Sequence, residues 1–413
     1  MLRIPLSTIK SPSNLGYLRY DRVPVDKKQR RFEDRYALVP QLQLYEFQCR
    51  AVIDWITIRL IFGKKTQHQW VQQVVEPVIG RRCYVDVVDE APGRVSNIFE
   101  IRFQEPDLRQ VNTVCWMLDE KFDLQALPVV CAIEISVDFR SLFQEARDRA
   151  GLFMALTRHF RPTRDVMSEY RDWPRFAFGE GRENAMGVIG RDADQPELDD
   201  HYFMSLETDQ RPFVDACYYV GAKEADIRWR IMDKVVDTQN RAAGSFESLG
   251  EMEKRVRIEV TLSRSAVAEL GVDYLTDLRG LRFAQLQSKF FGFVLPTFPD
   301  ASRLPHGAVR AARALREKQR EQKFLNTGVI GLAAMDGALA RRLKTTRQEV
   351  KADMWSKGLT LKPIPRAGRG SSGSFMAYEE LNHCVGVALR HLGERVAASL
   401  SRCTMGKGGE GES

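Results

Sequence analysis

The pattern of apolar and polar positions predicts many short β-strands with a few helices between them. Alternating or β-branched segments that predict strands are residues 52–62, 82–88, 97–104, 129–139, 216–221, 227–236 and 254–264. Apolar residues at helical spacing predict helices over residues 67–80, 141–160 and 272–293. Most of the strands follow one another in hairpin-like succession. The pattern therefore favours an α+β fold with a largely antiparallel sheet and flanking helices.

Two segments outside this pattern are more polar. Residues 1–45 are basic and contain proline, and they predict an irregular extension. Residues 161–210 predict irregular structure in which the short pieces RFAFGE and HYFMSLE could pair as a hairpin.

Beyond Pro296 the chain becomes basic and helical in character. The spacing predicts two or three helices interrupted at Gly328, Gly331 and Gly337, and a last helix over residues 376–400. The predicted division is an extension (1–45), a mixed α+β domain (46–296), a basic helical region (297–363), a Gly/Ser/Arg-rich linker (364–374), and a final helix with a tail (375–413).

The composition is that of an ordinary soluble globular protein. Of 413 residues, 44% are hydrophobic and 28% are charged, and no run approaches 18 consecutive apolar residues. The start of the chain has no apolar segment followed by a cleavage site, so a cytoplasmic location and no membrane partner are expected. The seven cysteines are scattered and never spaced CxxC, which argues against disulfides and structural zinc.

Positive charge is concentrated near the C-terminus. Residues 303–369 contain 16 Lys and Arg against 5 Asp and Glu, whereas the rest of the chain is slightly acidic. Such a block indicates a polyanionic partner, most simply DNA. The alternative is a solvated charged face with no partner.

Carboxylates occur at alternating positions on two predicted strands. Glu134 and Asp138 share one face of the strand at 129–139, and Glu259 lies on the polar face of the strand at 254–264. Oxygen ligands on adjacent strands suit Mg2+ or Mn2+. Two other interpretations stay open: Asp138 as the N-cap of the following helix, and Glu259 as a solvated cross-strand ion-pair partner.

A pair of tyrosines precedes a strand rich in cations. Tyr218 and Tyr219 point to opposite faces of their strand, so at most one can be catalytic, and periodicity alone does not decide which. Arg228 and Arg230 share one face of the next strand, and Lys234 follows. A tyrosine hydroxyl, with an ordinary pKa near ~10, becomes a nucleophile when a cation or metal activates it. Simple strand packing is the competing interpretation.

These segments resemble the Rep_trans family, the replication initiation factors of rolling-circle plasmids and CTX-type filamentous phages, which also includes some conjugative relaxases. The segments that carry the resemblance are Asp54-Trp55-Ile56-Thr57, Ala132-Ile133-Glu134-Ile135-Ser136-Val137-Asp138, Tyr219-Val220-Gly221 with Lys223, Arg230-Ile231 and Lys234, and Arg257-Ile258-Glu259-Val260. They occur in the family's order over residues 50–295. The chain departs from the family pattern at Ala132, Glu134, Ala225 and Met232.

The resemblance implies a metal-dependent DNA nickase carried by residues 46–296. Tyr219 would attack a phosphodiester at a replication origin, leaving a 5′-phosphotyrosyl link and a 3′-OH that primes synthesis, while Tyr218 would be core. The metal, Mg2+ or Mn2+, would be held by Glu134, Asp138 and Glu259. Arg230 and Lys234 would complete the catalytic set by contacting the scissile phosphate.

The partners that follow are origin DNA, single-stranded or as a hairpin at the nick site, with a host helicase and a second copy of the chain as further candidates. The basic region would hold the DNA through its phosphates. The alternatives are a non-catalytic DNA-binding regulator of a phage or plasmid on a decayed initiator domain, and a conjugative relaxase.

Overall fold

The structure is a computed structural model that describes residues 2–9, 14–25, 29–89, 95–179, 182, 184–240, 245–300, 302, 307–359 and 374–401. Its strands are β1 (Leu2–Ser7), β2 (Asn14–Pro24), β3 (Arg35–Pro40), β4 (Phe47–Gln67), β5 (Tyr84–Val87), β6 (Val95–Gln104), β7 (Val129–Ser141), β8 (Arg175–Phe178), β9 (Asn184–Gly187), β10 (Cys217–Val220), β11 (Ile227–Lys234), β12 (Val236–Asn240), β13 (Ser245–Ser248), β14 (Arg255–Ser263), β15 (Val294–Pro299) and β16 (Phe375–Ala377). Its α-helices are α1 (His68–Ile79), α2 (Leu108–Phe122), α3 (Ala146–His159), α4 (Asp199–Met204), α5 (Ser265–Ala268), α6 (Leu286–Phe290), α7 (Ala308–Ser356) and α8 (Glu379–Ser401).

A nine-stranded sheet forms the centre of the molecule, in the order β5-β6-β4-β7-β14-β11-β10-β8-β9. Every neighbouring pair in it is antiparallel. The α+β fold with a largely antiparallel sheet is therefore confirmed. Each strand predicted from alternation has a counterpart in this sheet, because period-2 patterning matches a sheet whose two faces differ in polarity.

One face of the central sheet is apolar and is covered by helices. Ile135 and Val137 of β7 and Ile258 of β14 lie on this face and are fully buried. Helix α3 packs against β11 and β14, and α8 packs against β4. The side chains of both helices join those of the strands in one continuous core. Polar side chains occupy the other face of the same strands.

The prediction that residues 1–45 form an irregular extension is wrong. This segment contributes β1, β2 and β3 to a second sheet of order β1-β2-β3-β15-β16. Ile4, Leu18 and Tyr20 are buried in it, with charged residues such as Arg19 between them. The abundant charge on the outward positions concealed the short alternating pattern, whose inward positions supply the core.

The basic block does not form one uniform surface. Of the three glycines predicted to interrupt the helices, only Gly328 breaks α7, with a left-handed φ of 74°, whereas Gly331 and Gly337 are helical. A Cβ at Gly328 would lie 2.9 Å from the carbonyl oxygen of Arg158, so close packing onto α3 requires a glycine. Around this break α7 is buried, but residues 340–359 are exposed except at Met354.

Other local predictions are corrected by tertiary structure. The helix predicted at 272–293 is instead a set of short 3₁₀ and α turns separated at Gly280. RFAF forms β8 and pairs with β9, whereas HYFM lies in α4. No helix in the described ranges is long and apolar enough to cross a membrane. The linker at 364–373 and the tail at 402–413 lie outside the described residues.

Candidate active site and metal centre

Four side chains form a row across the polar face of the central sheet. Tyr219 of β10 lies directly opposite Arg230 of β11, Arg230 opposite Glu259 of β14, and Glu259 opposite Ser136 of β7. Residues that face each other in an antiparallel pair project to the same side of the sheet. The register therefore places Tyr219, Arg230 and Glu259 side by side on three adjacent strands.

Three carboxylates lie close together beside this row. Asp54, Glu134 and Glu259 each offer an oxygen atom within 4.8 Å of the others. Glu134 and Glu259 belong to the predicted metal set, whereas Asp54 of β4 does not. The pairing of β4 with β7 shifts register between Ile53 and Trp55, which flank Asp54. A bulge of this kind re-aims a side chain, and here it aims the Asp54 carboxylate at the cluster.

Each of these carboxylates accepts a hydrogen bond or forms an ion pair. The Thr261 hydroxyl donates to Oε2 of Glu134 at 2.6 Å, Arg230 pairs with Oε1 of Glu259, and Arg257 donates to Oδ1 of Asp54. Oε2 of Glu259 is buried and accepts no hydrogen bond within the described structure. The cluster therefore contains a buried carboxylate oxygen that protein donors leave unsatisfied.

The electrostatics of the cluster are uneven. Burial, together with repulsion from Glu259, raises the pKa of Glu134 to about 7, although Arg230 and the Thr261 hydrogen bond act against this. Burial also opposes ionisation of Asp54, but the charge of Arg257, helped by Lys234 and Arg230, outweighs it and lowers the pKa of Asp54. Repulsion between Glu134 and Glu259 is what a bound cation would relieve.

Asp138 is not brought into this cluster. Its two oxygens accept hydrogen bonds from Nε and Nη2 of Arg257 at 2.6 and 2.9 Å, and Arg255 pairs with it at 3.1 Å. Arg257 also reaches Asp54, so Asp138 helps to orient a residue of the carboxylate cluster through a shared guanidinium. The alternative of Asp138 as an N-cap is wrong, because Asp138 lies inside β7 and Glu145 is the N-cap of α3.

The other predicted residues are distributed around the row. The cross-strand pairing of Glu259 is present, but Glu259 is only 2% exposed and is not solvated. Arg230 has a pKa raised well above its ordinary value, since Glu259 and Glu134 outweigh the effect of burial. Lys234 lies opposite Arg255 at the end of β11, near enough to Asp54 to lower the pKa of that carboxyl.

The two tyrosines are separated by the sheet. Tyr218 is 1% exposed on the apolar face, where burial raises its pKa, and its hydroxyl has no hydrogen-bond partner in the described structure. Tyr219 is partly exposed on the polar face, beside Arg230. Geometry therefore places Tyr219, and not Tyr218, on the face that carries the carboxylates.

The sequence contained a signal for Asp54 that alternation did not use. Asp54 begins the Asp54-Trp55-Ile56-Thr57 segment, which resembles a family motif, although the resemblance by itself implies no metal-binding role for Asp54. A bulge changes which face of the sheet the following side chains point to. A simple alternation of apolar and polar residues does not show where a bulge lies.

The carboxylates present fit a divalent cation. The donor set of Asp54, Glu134 and Glu259 consists only of carboxylate oxygens, which Mg2+ and Mn2+ prefer. The unsatisfied oxygen of Glu259 and the raised pKa of Glu134 both indicate negative charge that the protein alone does not balance. The metal site suggested by geometry is therefore Asp54, Glu134 and Glu259.

No family model matches the chain, and no curated protein matches it. Among solved structures, one similar chain is the rolling circle replication initiator protein from Geobacillus stearothermophilus, with 10% identity and a TM-score of 0.27 over 70% of this chain and 97% of that chain. Another is the class II 3-hydroxy-3-methylglutaryl-CoA reductase from Streptococcus pneumoniae, with 12% identity and a TM-score of 0.17 over 98% of this chain and 93% of that chain. Likenesses at these TM-scores support no statement about fold or function.

Proposed function

We propose that this protein is a metal-dependent DNA nickase and strand transferase that initiates rolling-circle replication, with Tyr219 as its nucleophile. The observation that carries the proposal is the row of Tyr219, Arg230 and Glu259 on one face of three adjacent strands. A phenol, a guanidinium and a carboxylate from a cation-binding cluster are the groups that phosphodiester transesterification needs. The family resemblance of these strands supports the same reaction.

The proposed step exchanges one phosphate ester for another. The phenolic oxygen of Tyr219 attacks phosphorus, and the bond between phosphorus and the 3′ oxygen breaks as the new bond forms. Tyrosine gives up its proton and the departing 3′ oxygen takes one up. The products are a 5′-phosphotyrosyl link and a 3′-OH. Because the ester bond is retained, the reverse step rejoins DNA without consuming a nucleotide.

The surrounding residues would bind and orient the phosphate. Arg230 lies opposite Tyr219, and Lys234 lies farther along the same strand, close enough to Asp54 to lower the pKa of that carboxyl. A divalent cation held by Asp54, Glu134 and Glu259 would withdraw charge from a phosphate oxygen. The Arg257 guanidinium fixes Asp54 from the side of Asp138.

The exposed half of α7 would hold the DNA. Its basic side chains from residue 340 onward are Arg341, Arg342, Lys344, Arg347 and Lys351, and Lys357 follows at the end of the helix. Two of these cations also pair with surface carboxylates, Arg341 with Asp200 and Lys357 with Asp353. Two other cations of the block are used internally: Arg320 pairs with Asp336 at 2.7 Å, and Lys323 pairs with Asp209 at 2.7 Å, where both side chains are fully buried. Phosphate contacts by the exposed residues predict binding that weakens steeply with salt.

The test is the reaction itself. The protein is incubated with supercoiled DNA of the replicon that encodes it, with Mn2+ or Mg2+ and with a chelator as the control. We expect nicked circles that carry covalently bound protein, and no nicking with the chelator. Asp54→Asn should abolish nicking while leaving DNA binding intact.

The alternatives give different results in the same assay. A non-catalytic regulator would bind the DNA without nicking it at any metal concentration, which would overturn the proposed function. A conjugative relaxase would form the same adduct at a transfer origin and none at the replication origin. Supplying both origins on separate plasmids distinguishes the two.

A further inference from the structure

A second arginine flanks Tyr219 on the side away from the carboxylates. Arg175 of β8 lies directly opposite Tyr219 in the pairing of β8 with β10, so the two side chains share a face. The guanidinium carbon of Arg175 lies 5.7 Å from the centroid of the Tyr219 ring. Tyr219 therefore lies between Arg175 on one neighbouring strand and Arg230 on the other.

The two flanking arginines differ in how their charge is balanced. Arg230 pairs with Glu259, and Arg257 farther along the face pairs with Asp138 and Asp54. Arg175 donates a hydrogen bond to the backbone carbonyl of Arg171 at 3.3 Å and forms no ion pair with a carboxylate in the described part of the chain. The positive charge of Arg175 is thus not balanced by an ion pair with a carboxylate among the described residues.

Keeping the Arg175 guanidinium partly buried without a carboxylate partner costs free energy, and a bound anion would offset that cost. Arg175 is partly buried, and burial lowers its pKa even though Tyr219, Asp172 and Glu224 act in the opposite direction. A desolvated guanidinium is stabilised by an oxyanion, and its planar fork matches the two non-bridging oxygens of a phosphate.

We propose that Arg175 binds the phosphodiester on which Tyr219 acts, so that the phosphate is held between Arg175 and Arg230 with Tyr219 beneath it. None of the motif segments that carry the family resemblance includes Arg175. The assignment of Arg175 as a catalytic residue rests on the proposed function, but phosphate binding at this position does not.

The phosphate contact is tested in a protein that cannot react. In a Tyr219→Phe background, which keeps the ring under Arg175, binding of a short single-stranded oligonucleotide is followed by fluorescence anisotropy over a range of salt concentrations. Arg175→Gln should weaken binding about 10-fold. It should also reduce the slope of log K against log salt by about 0.7, the value for one single-strand phosphate contact.

Arg171→Gln is the matched control. Arg171 is also an arginine, four residues earlier, but its side chain is 72% exposed and pairs with Glu169 at 2.8 Å. The substitution leaves the backbone carbonyl that Arg175 uses in place. Arg171→Gln should leave the salt slope unchanged, and Arg175→Lys should restore part of the slope that Arg175→Gln removes.

With Tyr219 present, single-turnover nicking adds a second readout. Arg175→Gln should slow adduct formation about 100-fold, as expected when one donor to a transition-state oxygen is removed. If Arg175→Gln and Arg171→Gln share one salt slope and one rate, Arg175 only packs on the ring and the inference is wrong. If the wild-type protein never nicks DNA, the proposed function fails, while a lost salt slope still supports the phosphate contact.

Discussion

Tyr218 and Tyr219 are adjacent in the chain but lie in two different environments. Tyr218 belongs to the apolar face of the central sheet, opposite Phe176 and Ile231, and is almost completely buried. Tyr219 belongs to the polar face, between Arg175 and Arg230. Two residues that are adjacent in a strand therefore lie in different places, one in the hydrophobic core and the other in the candidate active site.

The comparison of the two faces shows where stability and function are separated. The apolar face gains stability from burial of Ile135, Val137 and Ile258 against helices. The polar face is also largely buried, and it is held together by paired charges such as Asp138 with Arg257. Perturbing charge, metal or pH should therefore affect the polar face in ways that the apolar face does not share.

The largest expected effect on the polar face is loss of Arg257. Arg257→Met leaves Asp138 and Asp54 without their shared partner in a buried site, which should lower the free energy of unfolding by about 3–5 kcal/mol. Urea denaturation followed by circular dichroism measures it. Arg228→Met is the control, because among the described residues this partly exposed arginine bonds only the Lys223 carbonyl, at 2.9 Å; it should change stability by less than about 0.5 kcal/mol. Equal effects of the two substitutions would contradict the paired-charge account.

The next effect belongs to the apolar side. His159 of α3 is fully buried, its Nδ1 bonds the Val294 carbonyl at 2.8 Å, and burial lowers its pKa to about 4 from an ordinary 6.5. The unfolded chain takes up a proton on His159 more readily than the folded protein does. The contribution of neutral His159 to the free energy of unfolding is therefore fully present above pH 6.5 and is lost as the pH falls toward 4. At pH 5 the loss should be about 2 kcal/mol. Denaturation of His159→Gln should lack this part of the pH dependence, and an unchanged pH profile would exclude His159 as its source.

A smaller effect of opposite sign is expected at Glu134. Its folded-state pKa of about 7 exceeds the ordinary 4.5, so its contribution to stability is present below pH 4.5 and is lost as the pH rises through 7. Without metal, Glu134→Gln should stabilise the protein at pH 8 by about 1–2 kcal/mol. Mn2+ should raise the melting temperature of the wild type but not of Glu134→Gln. Stabilisation of both proteins by Mn2+ would place the metal elsewhere.

The smallest effect is expected at Tyr218. Its buried hydroxyl has no hydrogen-bond partner in the described structure, so Tyr218→Phe removes an unsatisfied polar group. The substitution should be neutral or stabilise the protein by up to about 1 kcal/mol in thermal denaturation. Nicking should be unchanged. A destabilised Tyr218→Phe protein would mean that the hydroxyl makes a bond within the fold.

Much of the fold could be predicted because apolar and polar residues alternate along the central strands. Residues 133–139 and 255–263 alternate between apolar and polar, and the register places Glu134 and Glu259 on one face of the sheet. The N-terminal strands could not be predicted in the same way. Their core positions, such as Ile4 and Leu18, are few and lie among charged residues and prolines.

The site was less predictable than the fold because it depends on partners distant in sequence. Asp138 has the strand position of a ligand, but Arg257, 119 residues later, occupies both of its oxygens. Asp54 joins the cluster through a local register shift. The charge of the basic block was likewise visible, but not that Lys323 is buried against Asp209 while the residues beyond 340 are exposed.

The most direct test of the central claim identifies the tyrosine that becomes linked to DNA. The protein is reacted with origin DNA and Mn2+, the adduct is digested with nuclease and protease, and the nucleotide-bearing peptide is sequenced by mass spectrometry. We predict a nucleotide on Tyr219 and none on Tyr218, and loss of the adduct in Tyr219→Phe but not in Tyr218→Phe. A nucleotide on Tyr218, or an undiminished adduct in Tyr219→Phe, would contradict the assignment of chemistry to the polar face of the sheet.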